Sequence, residues 1–221
     1  MIGSIHVIGS GRVGSAVSAR LEERELTLDA ATPDLVLLCV PDRAIGEVAS
    51  AVVPGPWVAH VSGATSLTAL APHSRRFSVH PLQTFTLRRG AEQLDGAWAA
   101  VTTESADALA VATWLAEALG LRPFPLLDEN RAAYHAGAAM ASNYLVTLRQ
   151  AAGSLLEAAG APQDALDPLM ARTIENGFEL TGPIQRGDWE TVERHLDAIQ
   201  ATCPELEAMY RVLADATAAV A

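Results

Sequence analysis

The sequence predicts an α/β fold: a mostly parallel sheet, shortened around its second strand, followed by an all-α C-terminal domain. Three observations predict it. Short β-rich runs alternate with helical patterns through the first half of the 221 residues, the pattern of a parallel sheet with crossover helices. Residues 35–40 (LVLLCV) form a near-continuous apolar run, the kind a parallel sheet buries on both faces. Beyond residue 127 no β-rich run remains, and Ala, Leu, Glu and Arg dominate. The predicted domains are therefore 1–127 and 128–221.

In order along the chain, residues 5–8 read as a strand and 12–24 as a helix. The apolar run 35–40 stops at Pro41-Asp42, where Asp42 is placed to cap a helix running to about residue 53. Residues 57–61, 77–80 and 98–101 are further strands; a helix over 106–119 stops at Gly120, and 122–127 is the last strand. Asp128-Glu129-Asn130 opens one long helix through about residue 159, ended by Gly160 and Pro162. Helices over 164–180 and 189–199 follow, the latter capped by Asp188, and the tail after Pro204 is a fourth.

Composition narrows the function. A net charge of -11 without a basic cluster disfavours nucleic acid, whose phosphates need a basic stripe, and anionic membranes. No apolar run approaches the length of a membrane span, and the N-terminus reads as a strand instead of a signal peptide, so a cytoplasmic location is expected. Two cysteines, Cys39 and Cys203, make no disulfide framework. All 15 basic residues are Arg, so no lysine is present to form a Schiff base or act as a general acid. The low charged fraction, 19%, points to a covered surface, most simply a second copy; the Ala-rich helices of the second domain are the expected homodimer contact.

Gly9-Ser10-Gly11-Arg12-Val13-Gly14 follows the first strand and opens the first helix. This is G-x-G-x-x-G in the context where the glycines permit a tight turn, close approach of a pyrophosphate, and packing of helix on strand. NAD or NADP is the expected cofactor. A complete dinucleotide fold carries a ribose-binding acid about 20 residues later. Asp29 is either that acid or a solvated loop acid. Only residues 30–34 separate it from the next strand, too few for a strand–helix–strand unit, so the second strand is either a stub or missing.

GSGRVGSA, DLVLLCVPD, HVSGA, HPLQTF, YHAGAAMASNYLVTL and TGPIQRGD with a following TVERHL occur in that order. With them the chain resembles a Rossmann-like family, largely of unknown function, whose C-terminal helical domain is like that of 6-phosphogluconate dehydrogenases and which is related to an alternative type of ketopantoate reductase. The resemblance implies an NAD(P)-dependent reductase of a small carboxylated ketone or imine. The alternative is a ligand-binding or regulatory protein of the same fold without redox activity, suggested by the short segment after Arg24 and the absent lysine.

Hydride delivery to a carbonyl or imine needs a proton donor and a polarising group. Where related enzymes use lysine, His135 is the substitute here, with Asn143 and His80 as further catalytic candidates. On a regular helix His135 and Ser142 fall about 20° apart. Gly9, Gly11, Arg12, Val13, Gly14, Val40, Pro41 and Asp42 are the expected cofactor contacts. Ser62, Gly63, Gln83, Thr84, Ser142 and Arg186 are the expected substrate contacts, since Ser62-Gly63 and Gln83-Thr84 follow strand ends and Arg186 offers a fork for a carboxylate. His60 either serves the site or bonds a neighbouring loop. Cys39 reads as core, and no metal is expected, because the histidines lack ligand spacing.

Overall fold

The computed structural model describes residues 2–221. The chain divides into two compact units, one ending at Ala139 and the other running from Met140 to Ala221. The first is built on β1 (Ser4–Ile8), β2 (Thr27–Leu28), β3 (Leu35–Leu38), β4 (Trp57–His60), β5 (Arg76–Pro81), β6 (Trp98–Thr103) and β7 (Arg122–Pro125). They form one sheet in the order β2-β1-β3-β4-β5-β6-β7, parallel throughout except for the antiparallel pair β5–β6. Its helices are α1 (Arg12–Glu23), α2 (Ile45–Ala51), α3 (Ala106–Ala118) and α4 (Arg131–Ala139).

Alternation within the strands sorts the core into two layers. Leu35 and Leu37 join Ile5, Phe77 and the inner residues of α1 and α3 on one face. Val36 and Leu38 join Ile45 and Ala49 of α2 on the other. The apolar run at 35–38 is thus buried on both faces, each Leu contributing about 1.5–3 kcal/mol.

The second strand exists, as a two-residue stub. Leu28 pairs with Ile5 on one side of β1, and Leu35 pairs with the same Ile5 on the other. The connection between them therefore has no height to regain. It sidesteps a single strand, about 10 Å, which residues 29–34 span as a bare loop. A full-height strand would have required the chain to return along the sheet, hence the usual dozen residues.

Several local expectations need correction. Pro41, not Asp42, occupies the N-cap, and Asp42 begins a short 3-10 turn ahead of α2 without capping through its side chain. The last strand ends at Pro125, short of residue 127. The long helix is not regular: α4 runs into a π-helical turn, Met140–Tyr144, before α5 (Leu145–Ala158). In the helical unit α6 (Leu166–Glu175) stops five residues before Leu180, because Gly177 and Phe178 turn left-handed (φ 70 and 62) and their N–H groups close onto Ile174 and Thr173. α7 (Trp189–Thr202) is capped by Asp188, which accepts from the Thr191 N–H at 3.1 Å, and α8 (Glu207–Ala218) ends the unit. No helix among the described residues is long and apolar enough to cross a membrane.

Candidate functional site

The three glycines of the first loop are required by different neighbours. At Gly9 (φ +116) a Cβ would lie 2.4 Å from the Cys39 carbonyl oxygen, and at Gly14 1.9 Å from the Gly9 oxygen. Those two are demanded by the protein itself. Gly11 is not: its φ is -74, open to any residue, and nothing lies within 4 Å of where its Cβ would stand. It is also the N-cap of α1 and supplies no capping side chain, so first-turn N–H groups are left for an outside acceptor. The loop thus has the space and the donors that a pyrophosphate requires.

A cleft of about 350 Å³ opens beside it. Its lining brings together Gly11, Arg12, Val13, Val40, Pro41, Asp42, Ser62, Gly63, His80 and His135, along with Cys39 and Val61. All come from the sheet unit. Burial pushes the Cys39 thiol up to about 12, so it lines the cleft as an inert apolar group.

His80, at the end of β5, is the chemical centre of this lining. Its Nδ1 is 2.6 Å from the Tyr134 hydroxyl, and its ring lies 6.3 Å, centroid to centroid, from that of His135. A Cβ at Gly63 would come within 2.8–2.9 Å of the imidazole, so Gly63 is small because His80 packs on it. Burial, then the charges of His135 and Arg131, push His80 down to about 4. Burial pushes Tyr134 up to about 12. At neutral pH the pair is a neutral imidazole against a protonated phenol.

Beneath the cleft lies a buried polar network. Arg131, 2% exposed, donates to the Ser62 carbonyl at 3.1 Å, to the Ser78 hydroxyl, and to Asp128 at 2.6 Å. Asp128 also accepts from the Ser66 hydroxyl and the Leu67 N–H. It therefore ties down the loop after β4 and does not cap its own helix. Burial alone would raise its pKa, but bonds from Ser66 and Arg131 hold it below the usual carboxylate range. His60 is fully buried, with Nδ1 accepting from the Ser62 N–H at 3.2 Å and Nε2 without a close hydrogen-bond partner among the described residues. Burial and Arg131 push it down to about 3. The Ser62 hydroxyl accepts from the Ala64 and Thr65 N–H groups and so shapes the turn. Sequence reasoning missed Arg131 and Asp128; their i, i+3 spacing at a helix start was the available signal.

Other expected site residues lie elsewhere. Gln83 and Thr84 are exposed and bonded to one another, Gln83 Oε1 accepting from the Thr84 N–H at 2.8 Å; neither lines the cleft. Ser142 and Asn143 sit in the π-helical turn, which interrupts the regular spacing that would align Ser142 with His135. Arg186 is exposed on the loop before α7. Asp29 is not at the glycine loop. It follows Leu28, the partner of Ile5, and so stands beside His6, three residues and about 10 Å short of Gly9. Its Oδ1 is 2.6 Å from His6 Nδ1.

A family model described as a domain of unknown function, DUF2520, matches residues 97–217, more than half of the chain. Among curated proteins none matches in sequence. Among solved structures the chain is similar to a candidate NADP oxidoreductase from Bacteroides fragilis (TM-score 0.81, 20% identity, covering 98% of each chain). It is similar to a protein from Thermotoga maritima (0.78, 23%, 98% of each). A reductive aminase from Aspergillus terreus, solved with NADPH and ethyl levulinate, aligns over 98% of this chain and 93% of its own (0.67, 15%). At these identities the likeness shows the fold: a Rossmann-type sheet followed by a helical domain.

Proposed function

The chain belongs to the DUF2520 family, and from that premise we propose that it is an NAD(P)-dependent reductase of a small carboxylated ketone or imine, ketopantoate being the first substrate to try. The observation that carries the reading is Gly11, a glycine that neither its own backbone nor any neighbour requires. The solved relatives support it by what they hold or are named for, NADP chemistry and, in the aminase, a keto ester.

When bound, the dinucleotide supplies the hydride. The chain holds the pyrophosphate through the first-turn N–H groups of α1 and through Arg12. In the tautomer whose Nδ1 accepts from the Tyr134 hydroxyl, His80 carries its proton on Nε2. That neutral N–H donates to the substrate oxygen or nitrogen and polarises it. His135, exposed at the rim of the cleft, delivers the proton to the reduced substrate.

Calorimetric titration of NADH and NADPH into the wild type and Gly11→Ala tests this. Micromolar binding to the wild type is expected, with at least about tenfold loss in the variant and a melting temperature lower by no more than a few degrees, because the added Cβ meets no protein atom and only the N-cap preference for Gly over Ala is lost. The two-residue β2 favours a second reading, a ligand-binding protein of this fold without redox chemistry. Absence of dinucleotide binding up to millimolar concentration would decide for it.

The proposal includes a homodimer formed through the helical unit, supported by the many large apolar side chains that α5, α6 and α8 leave exposed.

A further inference from the structure

The short connection 29–34 leaves part of one sheet face open. A groove of about 780 Å³ lies there, walled by Ile8, Val36, Val52 and Pro54, with His6, Asp29 and Thr32 as its polar side chains. This is the size and character of a small-molecule site, apolar with few polar groups. It begins at Ile8, one residue before the glycine turn. The Asp29 side chain is 73% exposed; its Oδ1 is held by His6, and its Oδ2 makes no hydrogen bond among the described residues.

We propose that this groove seats the adenine base of the dinucleotide, with Asp29 Oδ2 accepting from the exocyclic N6 amine and His6 holding the carboxylate in place. The inference rests on reading the glycine loop as the pyrophosphate site. Asp29 stands too far down β1 for a ribose whose phosphate lies at Gly11, but the ribose and base together cover about the 10 Å that separates His6 from Gly9. The apolar walls suit a flat aromatic ring. Adenine presents N6 as a donor, and an acceptor-only carboxylate is its complement. The acid that reads the ribose in a full-height fold thus reads the base here, because its strand stops early.

The test is calorimetric titration of NADH and of reduced nicotinamide hypoxanthine dinucleotide, in which a carbonyl oxygen replaces the N6 amine. The proteins are the full-length wild type, Asp29→Asn and His6→Ala. Asparagine tolerates the left-handed backbone at position 29 (φ 55), so this variant keeps the turn. The wild type should bind the hypoxanthine dinucleotide about tenfold more weakly, since two acceptors would face each other. Asp29→Asn should abolish or invert that preference, its amide donating to the carbonyl, and His6→Ala should reduce it. Equal wild-type affinity for the two dinucleotides would overturn the adenine site and leave the reductase reading standing. Binding of neither would overturn both.

Discussion

In the sheet unit Phe77, Leu35, Leu37 and Leu115 are completely enclosed by their own chain, whereas in the helical unit Val146, Leu169, Ile174, Phe178 and Val212 are more than half exposed. The buried apolar side chains of the second unit reduce to Leu166, Val192, Ile199, Cys203 and Ala214, and none of the largest fully buried side chains belongs to it. Both units are rich in apolar residues, so apolar content does not separate them. What separates them is geometry: a sheet with helices on both faces closes its own core, while helices with exposed apolar stripes call for a surface to pack on. The sheet unit thus resembles a finished core, and the helical unit half of one.

Breaking the first half of that comparison gives the largest effect. Phe77→Ala should cost about 3–5 kcal/mol in denaturant unfolding, through a cavity that cannot collapse between two layers. Acid comes next. His60 and His80 have pKa values of about 3 and about 4 in the folded chain, against about 6.5 when unfolded. The unfolded state binds protons first, so stability is full above about pH 6.5 and falls as pH drops toward 4 and then 3, by on the order of a few kcal/mol. Urea unfolding at stepped pH measures this, and His60→Gln should flatten the profile. Gly14→Ala should cost about 1–3 kcal/mol, because its Cβ would press on the Gly9 oxygen; Gly11→Ala, one turn away, should cost less, under about 1 kcal/mol from the N-cap preference alone. The smallest effect sharpens the other half. Val146→Asp should leave the far-ultraviolet spectrum unchanged and weaken self-association about tenfold in sedimentation equilibrium. A wild type that stays monomeric at every concentration would remove the dimer from the proposal.

The sequence made the fold class legible because period and composition change where the architecture changes: β-rich runs to about residue 127, none after. It made the glycine loop legible because that motif is contiguous. It did not show the height at which β2 pairs with β1, since register is set by contacts that spacing along the chain does not encode. That single unknown left Asp29 open between ribose acid and loop acid; the pairing of Leu28 with Ile5 places it beside His6 and not at the glycine loop. The π-helical turn was equally silent: Met140–Tyr144 lies in the same Ala-rich pattern as its flanks. The early end of α6 had a signal, the Asn176-Gly177 pair, that a helix over 164–180 runs through. His80 and Gly63 were each picked out alone; their packing together appears only when β4 and β5 lie side by side.

The stub strand also changes what the sheet can accept. β2 shields only the lower part of β1, beside Ser4 and Ile5, so Val7 and Ile8 present an uncovered border on that side. A border of this kind is a place where a sheet can be extended. A strand inserted within 29–34 would lengthen the array along β1 without moving the registers already fixed between β1, β3 and β4. The loop is therefore a natural grafting point, at which the fold can gain or lose a whole crossover while the remaining strands keep their partners.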